Sequence, residues 1–135
     1  MLARTFKTPA ELNLSDAEFN ALVTVLVMLE RDELPWHSIH EFGEGNGFNM
    51  DRWPDAGYPA GEHCGSVGCI GYWVEKVGSI GLAGNIRSGE RNKLYRLLFP
   101  QGTGTAYRDI MPEQAAEAMR NYLATGEANW AAVLA

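Results

Sequence analysis

The apolar run FNALVTVLVMLE, residues 19–30, must be buried wherever the rest of the chain lies. Several of its residues are β-branched, so the run would also suit a buried strand. Its length and the preceding Ser15-Asp16-Ala17-Glu18, which has the spacing of a capping box, favour a helix over residues 16–32. Because this helix is apolar on nearly every side, we expect it to be central, with other helices packed around it.

Similar signals predict the other helices. Thr8-Pro9-Ala10-Glu11 combines a second capping box with a proline at the first helical position. Further helices are predicted over residues 65–77 and 88–99, from Pro112 to a cap at Gly126, and around Trp130. We find no internal repeat in the 135 residues. The sequence therefore predicts one compact domain, residues 1–135, that is mainly α with five or six helices.

Residues 34–63 differ from the rest of the chain because they contain three prolines and five glycines. Long stretches without regular structure are uncommon in compact domains and often carry function. The stretch also contains aromatic residues that need burial, so it should fold against the helices. We predict a long irregular loop, with a short strand or hairpin near residues 38–50 as its one regular part.

The charge of the chain, −6 in total, is unevenly distributed. Residues 1–62 contain 11 acidic and 4 basic side chains, whereas residues 63–135 contain 6 and 7. Direct binding to nucleic acid is not expected, because phosphate contacts require clustered Lys and Arg. A protein partner with a basic surface is the better match. The predicted contact residues are Trp36, Glu41, Glu44, Asp51, Trp53 and Asp55.

Two observations predict a cytoplasmic protein that does not enter a membrane. No apolar region of the kind found in a signal peptide follows Arg4 and Lys7, and the longest apolar run, residues 21–29, is too short to span a bilayer. Thiols stay reduced in the cytoplasm.

The run EHCGSVGCIGYW, residues 62–73, allows three interpretations. As an enzyme centre, Cys64 at a helix start would have a lowered pKa and would need a base, for which only His37, His40 and His63 are present. As a metal site, the same histidines and Cys64 are suitable zinc ligands. Cys69, however, would diverge from Cys64 by about 140° around a helix.

We favour the third interpretation, in which the run is a packing motif. Cys69 is then a small core residue, while Gly68 and Gly71 let another backbone approach closely. We accordingly predict no metal and no cofactor. A ligand pocket between the loop and this glycine face, lined by Trp36, Trp53 and Trp73, is a further alternative.

Four motifs occur in order along the chain: Phe48-Asn49-Met50-x-x-Trp53, Cys64-Gly65-Ser66-x-x-Cys69-Ile70, Leu98-Phe99-Pro100 and Ile110-Met111-Pro112-x-x-Ala115-Ala116. As a set they resemble a group of small uncharacterised proteins from bacteria, their phages and mobile elements. The resemblance covers residues 48–130. It departs at Ser66 and Met111, where Thr is usual, and at Gly71-Tyr72, where Ala-Gly is usual. The group has no established activity, so the resemblance implies a family and not a function.

We therefore expect a non-catalytic accessory protein that binds a macromolecule. Its more specific form is a phage or mobile-element protein that inhibits a host nucleic-acid-handling complex by occupying a site meant for phosphates. The alternative is a thiol- or metal-dependent enzyme centred on Cys64 with a loop histidine. The position of the Cys64 sulfur relative to His37, His40 and His63 would distinguish the two.

Overall fold

The computed structural model describes residues 5–36, 47–50, 67–78, 94–98, 100 and 103–135. Within these ranges the chain forms six α-helices and two short strands. In chain order they are α1 (Pro9–Leu12), α2 (Asp16–Glu30), β1 (Gly47–Phe48), β2 (Val67–Gly68), α3 (Ile70–Gly78), α4 (Tyr95–Leu98), α5 (Pro112–Thr125) and α6 (Trp130–Val133). A 3-10 turn, Tyr107–Asp109, precedes α5. The predicted mainly α fold is confirmed.

Helix α2 occupies the centre of the fold and packs against both α3 and α5. Its buried side chains are Ala21, Leu22, Val25, Leu26 and Leu29, which recur with the period of one helix face. Val23 and Met28 are only half-buried at the edge of the core. One face of α2 is therefore fully buried, and the apolar side chains on its other faces are only partly buried.

The capping box predicted for α2 is present. The Ser15 hydroxyl oxygen accepts a hydrogen bond from the Glu18 backbone N–H at 3.1 Å, and the Glu18 carboxylate accepts one from the Ser15 N–H at 2.9 Å. The helix ends two residues earlier than predicted, at Glu30, because Asp32 adopts a left-handed conformation with φ 57°. The Glu33 N–H then donates to the Met28 carbonyl at 2.9 Å, which closes the helix end in a Schellman arrangement.

Helix α5 agrees with its sequence signals at both ends. It begins at Pro112 and ends before Gly126, which has φ 87° and donates its N–H to the Tyr122 carbonyl at 2.7 Å. The next carbonyl, that of Leu123, accepts a 2.8 Å hydrogen bond from the Lys7 backbone N–H. The N-terminal segment thus satisfies a carbonyl that the helix itself leaves unpaired.

The two strands pair in parallel, with Gly47 opposite Val67 and Phe48 opposite Gly68. Phe48 also forms a parallel bridge to Trp36, and its N–H donates to the Pro35 carbonyl at 2.8 Å. A short strand in the loop is therefore present. Its pairing joins segments distant in sequence and is not that of a hairpin, and residues 38–46 lie outside the described ranges.

The predicted start of the helix over residues 65–77 is wrong. Helix α3 begins at Ile70, and Gly68 lies in β2, so Gly68 and Gly71 do not share a helix face. The reason is non-local, because Gly68 pairs with Phe48 in the strand ladder instead of extending the helix. Of the helix predicted over residues 88–99, the structure describes Tyr95–Leu98 as helical, and residues 88–93 and 99 lie outside the described part. In the part of the chain that is described, no helix is long and apolar enough to cross a membrane.

Candidate functional site

The most accessible candidate residue lies just beyond the end of α2. Leu34 is fully buried, and two residues later the Trp36 side chain is 40% exposed. Trp36 is the exposed large hydrophobic residue of the described ranges. Asp32 and Glu33, at the end of the same helix, are also exposed. We call Asp32, Glu33 and Trp36 together the α2-exit surface.

The backbone at this surface is held from two sides. On one side, the Schellman closure at Asp32 fixes the direction in which the chain leaves α2. On the other, the bridge between Trp36 and Phe48 attaches the chain to β1, and Phe48 is fully buried. The indole of Trp36 is therefore presented from a backbone that is anchored in the core.

The electrostatics of the α2-exit surface favour cationic groups. The last turn of α2 contains no basic residue, and the C-terminal end of a helix carries a partial negative charge that adds to the carboxylates of Asp32 and Glu33. The neighbouring Glu30 is engaged elsewhere, in a 2.8 Å ion pair with Arg120. Arg31, the residue directly after the last helical residue Glu30, is exposed and reduces the negative charge.

Arg120 of α5 links α5 to α2 through Glu30 and also pairs with Glu117 on its own helix. Its guanidinium contacts Glu30 at 2.8 Å and Glu117 at 2.8 Å. Burial alone would lower the pKa of Arg120, but the hydrogen bonds that its guanidinium donates to Glu117 and Glu30 outweigh burial and raise that pKa. This cluster is a structural link between helices and does not form part of the candidate surface.

The other predicted contact residues lie outside the described ranges: Glu41, Glu44, Asp51, Trp53 and Asp55. The same holds for the residues of the enzyme and metal alternatives: His37, His40, His63 and Cys64. Both alternatives therefore stay predictions. Among the residues that the structure does describe, no group of three or more His, Cys, Asp or Glu side chains could hold a metal ion.

Cys69 lies between β2 and α3 and is 3% exposed. Burial raises the pKa of its thiol to about 12, even though the backbone amides of Tyr72 and Gly71 act in the opposite direction. The thiol is therefore neutral near pH 7 and is not a nucleophile. Its position in the core agrees with the packing interpretation of this residue.

The first residues of the Phe-Asn-Met motif form a buried anchor for the loop. Phe48, Asn49 and Met50 are all buried, and Asn49 is the buried polar side chain of the described core. The indole Nε1 of Trp73 donates a buried 2.9 Å hydrogen bond to the carbonyl of Gly47. Since Trp73 is 1% exposed, it offers no surface to a ligand, which weakens the predicted pocket between the tryptophans.

Sequence reasoning missed one aromatic–cation group on α3. The rings of Tyr72 and Trp73 meet edge to face with centroids 5.2 Å apart, and the Lys76 ammonium lies 5.1 Å from the Trp73 centroid. Lys76 follows Trp73 by three residues and Tyr72 by four on the same helix, and this spacing is the signal that could have predicted the group. The ammonium also lies 5.7 Å from the Tyr72 centroid, so one cation contacts both rings.

Comparison of the chain with protein-family models, with curated proteins and with solved structures finds no significant match.

Proposed function

We propose that the protein is a non-catalytic accessory protein that binds another protein through the α2-exit surface and the acidic loop that follows it. The observation that carries the proposal is Trp36, a large aromatic side chain that is 40% exposed on an anchored backbone. Tryptophan is enriched among the residues that contribute most to protein–protein binding, because it buries a large area with little loss of side-chain freedom.

The charge of the first half of the chain supports a partner with a basic surface. Residues 1–62 have a net charge of −7, from 4 basic and 11 acidic side chains. The carboxylates of Asp32 and Glu33 add to the negative end of α2 beside Trp36. Charge of this kind accelerates association with an oppositely charged surface and excludes acidic partners.

A narrower form of the proposal concerns what the basic surface normally binds. A basic patch that holds nucleic-acid phosphates would also accept the carboxylates of this chain, so that the protein would inhibit a host nucleic-acid-handling complex. This form is supported by the charge distribution and by the resemblance to proteins of phages and mobile elements. It also agrees with the acidic composition, which disfavours direct binding to nucleic acid.

The proposal is tested by comparing variants as baits. The double variant Trp36→Ala, Glu33→Lys should recover its partner from a lysate of the source organism at least tenfold less than the unmodified protein. A matched control, Glu127→Lys, makes the same charge reversal at an exposed carboxylate outside the first half of the chain and should leave recovery unchanged. Circular dichroism of each bait verifies its fold. Equal recovery with the double variant and the unmodified protein would contradict the proposal.

A second experiment separates the narrower form from the general one. The purified partner is mixed with a labelled DNA duplex, and increasing amounts of the protein are added. Displacement of the duplex, weakened in the double variant and retained in Glu127→Lys, supports inhibition at a phosphate-binding site. If duplex and protein bind the partner simultaneously, the inhibitor form is wrong, whereas the binding proposal still stands.

A further inference from the structure

We draw no further inference here: the strongest candidate, the surface cleft of ≈ 380 Å³ between α1 and the C-terminal end of α5, sets the Lys7 ammonium against the Glu11 carboxylate and the negative end of the helix dipole, and nothing in the structure shows what would cover it.

Discussion

The indole Nε1 of Trp73 donates a 2.9 Å hydrogen bond to the carbonyl oxygen of Gly47, 26 positions earlier in the chain. The contact is buried and fastens β1 to α3. Because Phe48 of β1 also bridges to Trp36, the same bond supports the backbone from which Trp36 reaches the surface. This buried hydrogen bond therefore helps to hold the backbone segment that carries Trp36 of the candidate binding surface.

Replacing Trp73 by Phe should therefore lower the free energy of unfolding by about 2–4 kcal/mol. The Gly47 carbonyl would lose its donor while still buried, and the smaller ring would leave a cavity. Urea denaturation measures this loss. The matched control is Trp36→Phe, the same change at an exposed side chain, for which we expect less than about 1 kcal/mol. Equal losses in the two variants would show that the indole hydrogen bond contributes little.

The thiol of Cys69 should be unreactive in the native protein. It is buried, and its raised pKa leaves almost no thiolate at pH 8. In a titration with a chromogenic disulfide, any fast reaction of the folded chain should come from Cys64, and both thiols should react in denaturant. The Cys69→Ala variant serves as the control, because it should keep the fast amplitude of the unmodified protein. A fast phase that disappears in Cys69→Ala would contradict the buried position.

The same titration also tests the enzyme and metal alternatives. A fast-reacting Cys64, or one equivalent of zinc in metal analysis of the same sample, would favour a site with His37, His40 or His63 and would direct mutagenesis to these histidines. Two slowly reacting thiols and no bound metal would favour the interpretation of residues 62–73 as a packing motif. The next experiment would then be the identification of the protein partner.

Stability should fall at alkaline pH. The folded-state pKa of Cys69 is raised to about 12, and burial, assisted by Glu18, also raises the pKa of Tyr122 to about 12. Well below the pKa of a cysteine thiol in the unfolded chain, about 8.5, both groups are protonated in the folded and the unfolded chain. At higher pH the unfolded chain loses these protons first, so the free energy of unfolding decreases until the folded groups ionise. Each group contributes at most about 1.4 kcal/mol per pH unit.

Chemical denaturation at a series of pH values between about 8 and 11 measures this dependence. In Cys69→Ala one contribution is absent, so the decline should be shallower than in the unmodified protein. Tyr122→Phe should reduce the slope in the same way at the upper end of the range. Parallel declines in all three proteins would show that neither group is linked to unfolding.

Removal of the α2 capping residue should have a measurable cost. Ser15→Ala removes the hydroxyl that accepts from the Glu18 N–H, and we expect a loss of about 1 kcal/mol. Thr24→Ala is the matched control. Its hydroxyl donates to the Asn20 carbonyl within the helix, where alanine has the higher helix propensity, so stability should be unchanged or slightly increased. Thermal unfolding distinguishes the two outcomes, and similar midpoints would show that the cap is unimportant.

How much could be predicted from the sequence depended on the range of the interaction. The capping boxes at Thr8 and Ser15, the start of α5 at Pro112 and its end at Gly126 all rest on contacts within four residues, and each is present in the structure. The start of α3 was predicted wrongly. Its apolar periodicity continues towards Gly65, whereas a strand pair formed with residues 47–48 occupies Val67 and Gly68.

For the candidate site the division is similar. The charge asymmetry of the chain and the aromatic content of the loop could be read from the residues alone, because these are properties of composition. The exposure of Trp36 and the burial of Trp73, which is hydrogen-bonded to Gly47, depend on neighbours distant in sequence and could be seen only in the folded chain. Likewise, only packing decided that Cys69 is a core thiol, because burial in the space between β2 and α3 outweighs the local amides that would favour its thiolate.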